Sequence, residues 1–221
     1  MRKKGVSAIV CAYNEGPRIS KVLEILTKAK NISEIIVVDD GSTDNTLEKA
    51  RKFRNIRIFK NKKNKGKGYS MNLGVRKAKN KIIFFCDADL KGINSKMVDE
   101  IINPVLKGSA DMSIGLRKRL SYNFIIKNKK LFLPFIISGE RALKKALWYK
   151  VPKYYKEGYK IETGLNYYAI KNKYNVVSEQ FDYMITIKEK KYDLLKALKQ
   201  RVRLFEHLIL AHIRYNLFDR W

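Results

Sequence analysis

Two histidines, two cysteines and four prolines in 221 residues exclude several function classes at once. Cys11 and Cys86 each lie inside an apolar, strand-like run, which suits reduced core residues of a cytosolic protein and not a secreted disulfide framework or a thiolate metal site. His207 and His212 are five residues apart, a poor spacing for holding one metal from a helix. Long apolar runs are missing as well. The longest, LFLPFII at 131–137, is interrupted by proline, and MRKKGVSAIVCAYNE leads straight into a polar motif. Neither a membrane-spanning segment nor a signal region is therefore expected. With 45% hydrophobic residues the chain can still bury a sizeable core, as one domain or one domain with an appendage.

Acidic residues are also scarce relative to basic ones, 21 against 48, for a net charge of +27. Such an excess attracts polyanions, so nucleic acid, anionic lipid headgroups and phosphorylated small molecules are all candidate partners. A codon bias toward Lys, Asn and Ile would produce the same basic surface with no dedicated partner.

One pattern repeats through the first half. The apolar run VSAIVCA (6–12) leads through a polar turn to a helical stretch, PRISKVLEILTKAK. EIIVVDD (34–40) leads through GSTD to the helical TLEKARKF and the short run IRIF, and GKGYSMNLGVRKAK precedes KIIFFCDAD. Apolar β-branched runs alternating with helices predict an α/β fold, a mostly parallel central sheet with helices on both faces. Ligands of such sheets bind at the carboxyl ends of the strands, where AYNEG, DDGSTD and DAD all fall. In the second half, NSKMVDEIINPVL, SGERALKKALWY and YKIETGLNYYAIKN read as helices, the second with Ser138 as its cap. ADMSIGL reads as a strand and NVVSEQFDYMITI as one or two. From Lys191, apolar residues Leu194, Leu198, Val202, Phe205, Ile209 and Ile213 recur every three to four positions, predicting a long amphipathic helix. The expected division is a donor half at 1–115, an acceptor half of the same domain at 116–190, and this helix at 191–221.

Two aspartates end the strand FFCDAD. Side chains alternate along an extended chain, so Asp87 and Asp89 point to one side and their oxygens can share a cation. Hard oxygen donors without His or Cys favour Mg²⁺ or Mn²⁺, which retain waters and take phosphate oxygens as further ligands. An isolated DxD is more often an ordinary surface turn; its company gives it meaning. SAIVCAYNEG, IIVVDDGSTDNT, NKGKGYSMNLG and FFCDADL resemble, in order and approximate spacing, the nucleotide-sugar domain of family 2 inverting glycosyltransferases with the GT-A fold. INPVLKG, ISGERAL and GYKIETGL look like the glucosyl-3-phosphoglycerate synthase branch of that superfamily.

The resemblance implies roles. Ala12, Tyr13, Asn14 and Glu15 would line the base and ribose, and Asp40 would accept a hydrogen bond from the base edge. Lys67, between two glycines, would approach the diphosphate. Asp87 would face the ribose or sugar and join Asp89 at the metal. Glu162 would be the general base that an inverting transfer requires; otherwise it is a helix-start charge complementing the macrodipole. Arg141 either steers an acidic acceptor or pairs with Glu140. DDGSTD also suits a helix start capped by Ser42 or Thr43, and the lysines of KNKKNKGK other than Lys67 suit a solvated loop.

The synthase branch commonly carries a metal-binding histidine after its final strand. FDYMITIKEKKY has none, and Lys188 lies near that place, able to contact a diphosphate but not to ligate a cation. A hexose moved from a UDP- or GDP-sugar to a phosphorylated acceptor such as phosphoglycerate is the implied reaction. A polyprenyl-phosphate acceptor at an anionic membrane surface is the alternative, since the C-terminal stretch is basic and ends in Phe218 and Trp221. A helix packed on the enzyme body accounts for the same stripe with fewer assumptions. The expected location is cytoplasmic, with peripheral membrane contact as the variant, and a homodimer is left open. A nucleic-acid-binding protein is the alternative of another class, yet no nucleic-acid motif occurs, so that partner is not expected. A sugar nucleotidyltransferase would show a glycine-rich loop near its first strand, which AYNEG is not.

Overall fold

The computed structural model describes residues 5–117, 138–158, 160–181, 184–185, 202, 206, 209–211 and 213–215. The chain runs β1 (Val6–Ala12), α1 (Ile19–Lys28), β2 (Ile32–Asp39), α2 (Thr46–Arg51), β3 (Ile56–Lys60), α3 (Lys67–Lys77) and β4 (Ile82–Asp87). It continues through β5 (Leu90–Lys91), α4 (Ser95–Lys107), β6 (Met112–Arg117), β7 (Arg141–Lys144), α5 (Lys145–Lys150), a 3₁₀ turn (Lys153–Lys156), α6 (Ile161–Lys171), β8 (Val176–Phe181) and β9 (Met184–Ile185).

Seven strands form one sheet in the order β3-β2-β1-β4-β7-β6-β8. All neighbours are parallel except β7, which runs antiparallel to both β4 and β6. The period of two sorts the apolar residues onto the two faces. Ala8 and Val10 of β1, Val37 of β2 and Phe84 of β4 pack on α1 and α4, through Val22, Leu26, Ile101 and Val105. Their neighbours Ile9, Ile36, Ile83 and Phe85 pack on α3, α5 and α6, through Met71, Val75, Trp148 and Leu165. The expected α/β architecture with helices on both faces is therefore present, and its sheet is continuous from β3 to β8.

Three expectations need correction. SGERALKKALWY is not one helix: Arg141–Lys144 is β7, and only Lys145–Lys150 is helical. Ala, Leu and Lys favour helix, but here the slot between β4 and β6 decides, because only a strand can satisfy both edges. Phe84 pairs with Ala142 and Ile114 with Arg141. Ser138 accordingly caps nothing; its hydroxyl donates to the Gly115 carbonyl and to Glu140 Oε2 at 3.0 Å. Second, β4 stops at Asp87 and the chain turns at Ala88–Asp89 before Leu90–Lys91 pairs with Ile185–Met184 of β9. The extended-chain alternation that was to aim both aspartates thus ends at the first. Third, of the C-terminal amphipathic stripe, Val202, Ile209 and Ile213 belong to helical residues but are 60%, 57% and 41% exposed. Among the described residues there, Ala211 is buried, Tyr215 stacks on Tyr167 with ring centroids 3.9 Å apart, and the Arg214 guanidinium lies over the Tyr154 ring at 4.1 Å. Leu194, Leu198, Phe205, Phe218 and Trp221 lie outside the described residues. Among the described residues, no helix is long and apolar enough to cross a membrane.

Candidate functional site

Four strand ends meet on one edge of the sheet, and their loops are cross-linked side chain to backbone. After β1, Asn14 adopts a left-handed φ of 55°. Its amide donates to Ser42 Oγ at 3.0 Å, and its Oδ1 accepts from the Thr43 amide at 3.0 Å. Ser42 and Thr43 therefore do not cap α2 but bind the AYNEG loop to the DDGSTD loop. Asp44 instead accepts from the Thr46 amide at 3.0 Å and, across the loops, from Gly16 at 3.0 Å. Glu15, 5% exposed, receives Arg18 Nε at 2.6 Å, so it is a buried anchor of the loop. Ala12 is buried and Tyr13 is exposed beside it.

Asp40 organises the next loop. Its Oδ1 accepts from Asn61 Nδ2 at 2.7 Å and from the Lys65 amide at 3.0 Å, and its Oδ2 from the Gly66 amide at 2.7 Å. Three donors leave this carboxylate one further acceptor site at most, so its largest visible task is to shape the turn that delivers Lys67. Gly41 belongs to the same construction. Its φ is +78°, and a Cβ there would lie 2.6 Å from the Lys63 backbone carbon.

Lys67 begins α3 and is the centre of the site. Its ammonium stands 2.9 Å from Asp87 Oδ1 and 2.9 Å from Glu162 Oε1. Burial pulls its pKa down, but the charges of Asp87 and Glu162 outweigh burial and hold it well above the usual lysine value. Glu162, in the first turn of α6, is buried, while Asp87 is partly open. Gly139 makes room for this arrangement, because a Cβ on it would come within 2.4 Å of Asp87 Oδ2. Asp89 adds a second carboxylate nearby. Burial first, and then the charge of Asp87, push its pKa up to about 6.

Arg141 was expected at the acceptor or on Glu140. It is 1% exposed and donates to the Ser138 carbonyl at 2.7 Å, to Asn166 Oδ1 at 3.2 Å and to the Glu162 carbonyl at 3.4 Å. A guanidinium with these partners braces β7 against the first turns of α6 from beneath, and so sets where Glu162 stands. Arg141→Met should cost about 1–3 kcal/mol by leaving those acceptors unpaired. Chemical denaturation would measure this, and an intact stability with weakened acceptor binding would return Arg141 to the acceptor site. Lys188 lies outside the described residues.

The ion pairs from the start of α3 to the end of β4 and the start of α6 thus join NKGKG, DAD and GYKIETG in one place, in the order of motifs found in the sequence. A family model described as Glycosyl transferase family 2 matches residues 7–186. The chain belongs to glycosyl transferase family 2. The GT-A fold is borne out by a crystal structure of glucosyl-3-phosphoglycerate synthase from Mycobacterium tuberculosis in complex with Mn²⁺, UDP and phosphoglyceric acid. It superposes with a TM-score of 0.77 at 18% identity, over 98% of this chain and 80% of that one.

Curated relatives in this family include a cholesterol galactosyltransferase of Borreliella burgdorferi, 29% identical over 67% of this chain and 43% of its own length. Another is a dolichyl-phosphate beta-glucosyltransferase of Dictyostelium discoideum, 28% identical over 72% of this chain and 54% of its own. The chain thus spans about half the length of these two relatives.

The family member's aspartates fit a divalent cation as part of a shell. Two hard carboxylates lie close enough for the charge of one to raise the pKa of the other, which is the electrostatic condition a cation relieves. Among the described residues, no group of three His, Cys, Asp or Glu side chains converges on a metal position. Waters and phosphate oxygens would have to supply the remaining ligands, as Mg²⁺ and Mn²⁺ accept.

The residues that sequence reasoning missed are Arg18, Asn61, Gly139 and Asn166. Asn61 follows β3 and is buried, a polar residue at a strand's carboxyl end, which is the signal that could have found it. Arg18 and Asn166 carry no comparable local mark.

Proposed function

We propose that this chain is an inverting glycosyltransferase that uses Mg²⁺ or Mn²⁺ and moves a hexose from a UDP- or GDP-sugar to a phosphorylated acceptor such as phosphoglycerate. One observation carries the reading: Lys67 lies 2.9 Å from a carboxylate at the end of β4 and 2.9 Å from the buried Glu162. A cation, a strand-end carboxylate and a candidate base are thereby adjacent, as needed when a diphosphate departs from the carbon that an acceptor attacks. Support also comes from the solved glucosyl-3-phosphoglycerate synthase of M. tuberculosis, whose structures include complexes with UDP-glucose, Mn²⁺ and phosphoglyceric acid.

Glu162 takes the proton of the acceptor hydroxyl as its oxygen attacks the anomeric carbon from the face opposite the diphosphate. The bond from that carbon to the β-phosphate oxygen breaks, its electron pair leaves with the nucleoside diphosphate, and the configuration inverts. Lys67 offers positive charge where negative charge gathers. A divalent cation on Asp87 and Asp89 would supply further neutralisation of the leaving group. Ala12 to Glu15 and Asp40 form the wall expected to receive base and ribose, and the rigid cross-links to Ser42, Thr43 and Thr46 hold that wall in shape.

Thermal-shift titration with UDP, GDP and their sugars, with and without Mn²⁺, tests the reading. Metal-dependent stabilisation by one of them is the expected result, and its absence for all of them would overturn the assignment.

The exposed Val202, Ile209, Leu210 and Ile213, together with the net charge of +27, favour a second reading. In it the acceptor is a polyprenyl phosphate met at an anionic membrane surface. The Dictyostelium relative is named for a dolichyl-phosphate acceptor. Flotation with vesicles containing phosphatidylglycerol separates the two readings: binding that Ile209→Glu abolishes supports the second, and protein left at the bottom of the gradient supports the first.

A further inference from the structure

Lys67 serves two carboxylates that differ in their surroundings. The Asp87 side chain is 32% exposed and retains access to water, whereas the Glu162 side chain is 7% exposed. A carboxylate so placed depends strongly on the cation beside it. Lys67 is also the ammonium that a diphosphate at this strand edge would meet, on a helix whose N-terminal turn is set by Asp40.

Beside Asp87, the ammonium therefore has two claimants: Glu162, 95 residues further along the chain, on one side and the leaving group on the other. Two of the ammonium's three protons already face Asp87 and Glu162 at 2.9 Å each, so an incoming diphosphate, with several anionic oxygens, competes with Glu162 for its charge. Gly68 fixes the geometry behind it, since a Cβ there would lie 2.0 Å from the Lys156 carbonyl oxygen. The start of α3 thus abuts the 3₁₀ turn, and the side chain, not the helix, must make any adjustment.

We propose that Lys67 is a positioning residue that couples donor binding to the readiness of Glu162: the diphosphate draws the ammonium away from Glu162, which releases that carboxylate to accept the acceptor's proton. This rests on the nucleotide-sugar reading and deepens it. The coupling makes base activation follow donor binding, so Glu162 is held by an ion pair until a diphosphate competes for its partner.

The consequence is unusual for a base, because removing its charge improves binding of the donor product. Glu162→Gln should tighten UDP or GDP, whichever the protein binds, by roughly 5-fold or more, the lower end of ordinary coupling between sites. Uridine or guanosine should bind the variant unchanged.

Isothermal titration at fixed Mg²⁺ reads this in four proteins: unsubstituted, Glu162→Gln, Lys67→Met and the double variant. In the Lys67→Met background, Glu162→Gln should change diphosphate affinity less than about 2-fold, because the shared cation is gone. A similar gain in both backgrounds would show a general charge effect and overturn the coupling, as would an unchanged or weaker affinity in Glu162→Gln alone. If neither UDP nor GDP binds the unsubstituted protein, the nucleotide-sugar reading falls and the coupling falls with it. Thermal melts confirm that each variant is folded, and where Lys67→Met alone is unstable Lys67→Gln takes its place in the cycle.

Discussion

Glu162→Gln should lower transfer by about 10²–10⁴-fold, the usual worth of a positioned proton acceptor. The amide keeps the shape of the side chain and its place in the first turn of α6, but it cannot take a proton at the transition state. A helix-start charge predicts something else: a stability loss of about 0.3–1 kcal/mol and normal turnover. Turnover and melting temperature on this one variant therefore separate catalysis from architecture. With the ion pair to Lys67 in view, the same variant should lose rate while gaining affinity for the nucleoside diphosphate. Opposite signs in kcat and product affinity would be hard to obtain from a distorted fold. Near-normal turnover would place the base elsewhere.

Asp89→Asn should abolish transfer and remove the metal dependence of nucleotide binding, while making the metal-free protein more stable at neutral pH. The sign follows from its raised pKa. An aspartate that titrates near 3.8 in a solvated chain titrates at about 6 in the fold, because burial and the charge of Asp87 oppose ionisation. The folded form holds the proton more tightly than the unfolded chain, so this group favours folding at low pH, and that contribution is lost as pH rises from about 4 through about 6. Asparagine carries no such cost, so its advantage at pH 7.5 should be on the order of 1–3 kcal/mol and should vanish near pH 4. Melting curves at both pH values, each with and without Mn²⁺ and UDP, test both halves. A variant still stabilised by Mn²⁺ with UDP would remove Asp89 from the metal, and an unchanged melting point at pH 7.5 would remove the electrostatic cost.

Much of this was legible from residue order because the first half of the chain uses local signals. Strands β1, β2 and β4 are apolar runs that end on polar residues, and a parallel sheet must place those ends on one edge. AYNEG, DDGSTD and DAD were thus assigned to one place without any contact being known. What could not be read depends on partners distant in sequence. Arg141-Ala142-Leu143-Lys144 has the composition of a helix and becomes a strand because β4 and β6 leave a slot for it. Arg141 reads as a cation for an acidic acceptor or for Glu140 until β7 buries it beneath α6. Lys67 and Glu162 were each legible as site residues, yet their ion pair spans two halves of the chain, and no local pattern encodes it. Ser42 and Thr43 have the chemistry of caps, and only the approach of the Asn14 loop turns them into cross-links.

The reversed strand β7 also bears on how the molecule is made. A chain emerging from the ribosome as far as Arg117 contains β1 to β4 and the motifs AYNEG, DDGSTD, NKGKG and DAD, but the hydrogen-bonding edge of Ile82–Phe85 still awaits Arg141–Lys144. Until that segment arrives, an apolar strand presents an unpaired edge, the template on which nascent chains aggregate. Insertion of β7 closes the edge and carries in Arg141, which seats α6 and with it Glu162. Glu162, the proposed proton acceptor, is thereby seated through the strand that closes the sheet, so a partly synthesised chain can carry the strand-end motifs before Glu162 has its place.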